Sequence, residues 1–70
     1  MGSKDEALHE LEAVIKEFGL AESTVGRLIA HDPGFMSRLR DPSKQILNIT
    51  LDNVWRFIHI QRGQLELDLD

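Results

Sequence analysis

Pro33 and Pro42 are the only prolines in this 70-residue chain, and they stand nine positions apart near its middle. Proline has no amide to donate and drives the residue before it out of helical geometry. Each follows an aspartate, and a residue suited to turns, Gly34 or Ser43, comes next. No long helix or central strand can run through this stretch. Whatever lies between the two breaks is one short element. On both sides the apolar residues recur with the period of a helix, so the chain is expected to be all-α, built of short helices and tight turns.

Ser3 and Glu6 have the spacing of a capping box, and Asp5 and Glu6 suit the positive end of a helix dipole. Leu8, Leu11, Ile15 and Phe18 then form one stripe, which predicts a first helix over 4–18 that stops at Gly19. Leu20 and Val25 are spaced as a hydrophobic staple around Ala21, a chemically poor cap. A second helix over 22–30 turns Val25, Leu28 and Ile29 to one side. Asp32 as cap and Pro33 as first helical residue predict a third helix over 33–40, burying Met36 and Leu39, with Phe35 more a core residue than a stacking group. Lys44–Ile49 reads as an extended loop that tucks Ile46, Leu47 or Ile49 onto the core. Thr50 is then the cap of a fourth helix over 51–61 with Leu51, Val54, Trp55 and Ile58 on its inner face. Residues 64–70 alternate leucine with acid, the pattern of a strand needing a partner or of a frayed acidic tail. The reading is one domain over 1–63 followed by that tail.

Composition narrows the function classes. The absence of cysteine rules out disulfides and thiolate metal sites. No run approaches the ~20 apolar residues of a membrane span, and no secretory signal opens the sequence. A cytoplasmic protein with no membrane partner is the expectation. The net charge of −4 is unevenly spread. Residues 1–22 set Lys4 and Lys16 against six carboxylates. Residues 23–63 hold Arg27, Arg38, Arg40, Lys44, Arg56 and Arg62 against Asp32, Asp41 and Asp52, and the tail adds Glu66, Asp68 and Asp70. A basic middle between acidic ends is what a phosphate-binding surface needs, because phosphate responds to the local field. An ordinary mixed-charge surface is the plainer alternative.

The spacing in the middle carries more. Val25 and Ile29 face inward on the second helix with the small Gly26 beside Val25, and Met36 and Leu39 face inward on the third. A bare backbone at Gly26 lets the next helix cross closely, and the whole makes a helix-turn-helix. Residues 22–41 resemble the bihelical unit of the Cro/lambda-repressor-like helix-turn-helix proteins. There an apolar and then a small residue stand early on the first helix (Val25, Gly26), another apolar residue closes it (Ile29), and two more anchor the second (Met36, Leu39). Thr50–Ile58 is similar to the helix that closes such domains, and the likeness spans residues 4–61. Gly26-Arg27-Leu28 and Leu39-Arg40 also look like the small phage- and prophage-type bacterial regulators. The chain departs at the turn, where Ala30 and His31 replace a common glycine and apolar residue, and where Pro33 bears on the angle of the third helix.

The resemblance implies a four-helix lambda-repressor-like fold and sequence-specific binding of double-stranded DNA by a transcriptional regulator, with the third helix in the major groove. Its outward face offers Gly34, Ser37, Arg38 and Asp41. Arg38 is the candidate for a bidentate contact to guanine, with Asp41 orienting it, and Ser37 for a base or phosphate. Ser23 and Thr24 are candidates to hold a phosphate at the start of the second helix. Arg27, Arg40, Lys44, Gln45 and Asn48 are candidates for backbone contacts. Each has a plainer role available: Arg27 pairing with an acid of the first helix, Arg40 bonding to Asp41 or to the end of its own helix, Ser23 and Thr24 serving only as caps, and Arg56 and Arg62 remaining in solvent.

Nothing points to an enzyme. His9, His31 and His59 lack metal-ligand spacing, the Glu6/Glu10 and Asp5/His9 pairs read as surface charge, and no phosphate loop or nucleophile elbow occurs. No cofactor or metal is expected. One short helix contacts few bases, so a homodimer is expected, joined through Trp55, Phe57, Ile60 or the tail leucines. The rival is a protein-interaction module on the same scaffold, recruiting a partner through the acidic first helix or the tail.

Overall fold

A computed structural model describes residues 4–63. It is all-α over those residues: α1 (Lys4–Phe18), α2 (Glu22–Ala30), α3 (Phe35–Arg40) and α4 (Asn48–Gln61). The expected capping residue Ser3 and the alternating segment 64–70 lie outside the described residues.

α1 matches its expected bounds, but its buried stripe is turned. Ala7, Leu11, Val14 and Ile15 are in the core, Leu8 is only half-buried and Phe18 is exposed. Gly19 closes the helix at φ 66°, and the Leu20 amide reaches back to the Ile15 carbonyl at 3.0 Å, a left-handed cap that seats Leu20 against the core. α2 also has its expected bounds, with Ala21 as a cap that contributes no side-chain bond. It ends on His31, which takes the left-handed conformation at φ 55° that glycine adopts most easily. That reversal returns the Asp32 amide to the Gly26 carbonyl at 3.2 Å.

The third helix is shorter than 33–40. Pro33 is not its first residue and Asp32 is not its cap: Gly34 holds the cap position. The Asp32 carboxylate instead accepts the Gly34 amide at 2.9 Å, and the Phe35 amide bonds to the Asp32 carbonyl at 3.0 Å. This is an Asx turn with proline at its second position, which uses up the side chain that was expected to cap. The same device follows α3. Asp41 Oδ1 accepts the Ser43 amide at 2.9 Å and the Ser43 hydroxyl at 2.7 Å, and the Lys44 amide bonds to the Asp41 carbonyl at 3.1 Å. Two Asp-Pro turns therefore bracket one six-residue helix.

The fourth helix begins three residues before its expected start. Leu47 is its cap, and Thr50 lies inside the first turn. The expected loop over Lys44–Ile49 is thus cut short at Leu47. Ile46 and Leu51 flank the start with the spacing of a hydrophobic staple, and both pack on the core, so burial rather than a capping hydroxyl sets the boundary. Leu47 and Ile49 stay exposed, and Ile46 is the one of the three that tucks inward.

Val25, Ile29, Phe35, Met36, Leu39, Val54 and Ile58 complete the core with the four α1 residues. α1 packs on α4 and touches α3, while α2 packs on both α3 and α4. Among the described residues no polar side chain is buried.

Candidate nucleic-acid interface

α3 is too short to be stable by itself, since an isolated helix in water is marginal below ~12 residues. Its hold comes from its neighbours. Phe35, Met36 and Leu39 are at most 2% exposed, so its inner face is wholly in the core. At Gly26 of α2 a Cβ would lie 2.3 Å from the Asp32 carbonyl oxygen and 3.1 Å from Phe35 Cβ, so α2 and the entry to α3 meet backbone to side chain. The expectation that Gly26 permits a close crossing is met, with the turn carbonyl as the nearest atom.

The outer face carries the polar groups. Gly34, Ser37 and Arg38 are exposed. Arg38 Nη2 lies 2.5 Å from Asp32 Oδ2, and its guanidinium carbon stands 6.0 Å from the centre of the Phe35 ring. Asp32 thus has one oxygen on the Gly34 amide and the other on Arg38. Asp41 does not orient Arg38, contrary to expectation. Its carboxylate is turned to Ser43, whose hydroxyl and amide bonds hold its pKa below the ordinary aspartate range, with the Lys4 charge acting in the same sense.

Arg40 is engaged by carboxylates of the protein itself. Its Nε donates to Glu12 Oε2 at 2.8 Å, and Nη1 and Nη2 donate to the two Glu22 oxygens at 3.0 and 2.5 Å. One guanidinium joins α1, α2 and α3, and neither plainer role expected of it applies. The bonds from Arg40 push the Glu22 pKa below its usual value, and the Arg40 pKa is raised in return. Arg62 is also paired, 3.2 Å from Glu10 and 3.7 Å from Glu17, and ties the end of α4 to α1 while staying exposed. Lys4 Nζ donates to the Asp41 carbonyl at 2.6 Å and to the Lys44 carbonyl, which pins the second Asp-Pro turn to the start of α1.

The remaining candidates lie on α2 and on the segment that follows α3. The Arg40–Glu22 pair sets the first turn of α2 beside the end of α3, and the exposed Ser23 and Thr24 follow Glu22 directly. Lys44, Gln45 and Asn48 are exposed on the chain that leaves α3. Arg27 is exposed on α2 and is not paired with an acid of α1. Neither Arg27 nor Lys44 has an ion-pair partner among the described residues. Of the residues expected at a dimer face, Trp55 and Phe57 are half-buried on the core and Ile60 is exposed.

Asp32, Glu12 and Glu22 are the residues that shape this surface beyond the expected set. Asp32 had a local signal in the Asp-Pro-Gly turn. The Glu12–Arg40–Glu22 clamp spans three helices and had none. Among the described residues no group of histidines and carboxylates is placed to hold a metal ion, and no helix is long and apolar enough to cross a membrane. Comparison with protein-family models, with curated proteins and with solved structures gave no match.

Proposed function

We propose that the chain binds double-stranded DNA sequence-specifically, with α3 as the recognition helix. In this reading Arg38 reads a guanine edge and Ser37 meets a base or phosphate. Arg27, Lys44, Gln45, Asn48, Ser23 and Thr24 hold the backbone, and two copies act together on a symmetric site. A cytoplasmic regulator of phage or prophage type is the role that suits such a molecule. One observation supports this most. α3 buries its whole apolar side, is bracketed by two rigid turns, and leaves Ser37 and Arg38 outward. A short helix held this firmly loses little freedom on docking, which is what a base-reading element requires. The resemblance of residues 22–41 to the Cro/lambda-repressor-like unit points the same way.

The test is selection of bound duplexes from a random library, followed by anisotropy titration of the selected duplex and of a scrambled one. Arg38→Ala is expected to weaken the selected duplex by about 1–3 kcal/mol, roughly 5- to 150-fold, and the scrambled one far less. A variant that binds both duplexes as wild type does removes Arg38 from the reading.

A second reading, a protein-interaction module, has one observation in its favour. Leu28, Leu47 and Ile49 are each about two-thirds exposed or more on a chain of net charge −4. Indifference to duplex DNA at low salt would select it.

A further inference from the structure

Asp32 is an acid within the surface that the DNA reading assigns to a polyanion, and that reading gives it no role. Its carboxylate is bifunctional: Oδ1 holds the Gly34 amide at 2.9 Å and Oδ2 meets Arg38 Nη2 at 2.5 Å. Arg38 has a second restraint, since its guanidinium carbon is 6.0 Å from the centre of the buried Phe35 ring. A long, rotamer-rich side chain is thereby tied at its tip to a rigid turn. The closest contact of the ion pair is made by Nη2. A guanidinium carries more donors than one carboxylate oxygen uses, so the rest of the fork stays free to meet a guanine edge. Arg38 is half exposed while paired, so the tie does not bury it.

Resting on the proposed DNA reading, we infer that Asp32 is a specificity-determining positioning residue, which holds Arg38 toward base edges and penalises its use on phosphate. Two effects combine. Restraint of the guanidinium lowers the ordering cost of a base contact. The fixed negative charge opposes any phosphate that approaches the same nitrogen, so binding that relies on the backbone alone is weakened. Selectivity is a difference of affinities, and a repulsive group that disfavours the wrong mode raises it as surely as a new contact does. Asp32 is suited to this because the Gly34 bond fixes its rotamer.

Asp32→Asn isolates the charge. Asparagine forms the same Asx turn with its amide oxygen, so the bond to the Gly34 amide is kept. The probes are the duplex that wild type selects from a random library and a scrambled duplex of equal composition. Asp32→Asn is expected to bind the scrambled duplex more tightly than wild type does, and to lose about tenfold of the preference for the selected one, within the range of one bidentate base contact. In an Arg38→Ala background the same change is expected to leave the preference unaltered, since the two residues act as one unit. A purely structural role for Asp32 would move the thermal midpoint and would act whether or not Arg38 is present. A wild type that selects a duplex while Asp32→Asn keeps its full preference overturns this inference alone. A wild type that selects no duplex overturns the DNA reading and this inference with it.

Discussion

At Gly26 the helix α2 backbone passes close to the turn that follows it. An alanine there gains about 1 kcal/mol of helix propensity. It also puts a methyl 2.3 Å from the Asp32 carbonyl oxygen, a backbone atom with no rotamer to relieve the clash. Overpacking that forces side-chain and backbone shifts costs roughly 1–3 kcal/mol, occasionally more, and here a backbone carbonyl of the turn has to move, which places the cost at or above the upper end. The Asp32 amide bond to the Gly26 carbonyl and the Asx turn built on Asp32 move with it. Gly26→Ala is therefore expected to destabilise by about 3 kcal/mol or more, lowering the midpoint of thermal unfolding by several degrees or more for a domain this small. Circular dichroism on heating reads this directly, and a midpoint equal to or above that of wild type would mean that the turn yields at no cost.

At the scale of the element, α3 is the part of the fold that depends most on others. Arg40 ties its end to α1 and α2 through Glu12 and Glu22. The pH dependence follows from Glu22, whose folded pKa is depressed by the Arg40 hydrogen bonds. A depressed carboxylate pKa means stability that is fully present above the ordinary glutamate range, near pH 4.3, and is lost as pH falls through the lowered value. The raised Arg40 pKa adds nothing in acid, where that group is charged in both states. Both partners are well exposed, so solvent screening keeps the clamp to about 1 kcal/mol at most. Urea unfolding of wild type and Arg40→Gln is expected to differ by up to that amount at pH 7 and to converge in acid, as the pH falls through the lowered Glu22 value. A gap of constant size across that range would assign the loss to Arg40's aliphatic stem rather than its charge. This element also marks the limit of what the sequence reveals. α1 and α2 were legible to the residue because Gly19 and the Asp32-Pro33 break are local signals. The starts of α3 and α4 were not. Asp32 and Thr50 both carry capping side chains, but one is taken by a turn and the other is outranked by the burial of Ile46 and Leu51. The partners of Arg40 lie 28 and 18 positions away, so no spacing rule relates them.

Over the whole molecule, charge is the quantity that decides between the two proposed functions. The chain is acidic overall, and pairing lowers its usable positive charge further. Arg40 and Arg62 are held by carboxylates of α1 and α2, and Lys4 by two carbonyls. Of the candidate cations that leaves Arg27 and Lys44 for phosphate and Arg38 for a base. Counterion release converts this count into a measurement, because the slope of log affinity against log salt is about −0.9 for each phosphate neutralised on a duplex. Two phosphates per copy predict a slope of about −2 for one chain and about −4 for a two-copy complex. The slope is expected to be the same in Arg40→Gln, since Arg40 is spent within the protein, and to become shallower by about one per copy in Arg27→Gln or Lys44→Gln. A wild-type slope steeper than this, with Arg40→Gln losing about one, would mean that the guanidinium leaves Glu12 and Glu22 for DNA. The three-helix clamp would then be a latch that opens on binding rather than a fixed brace.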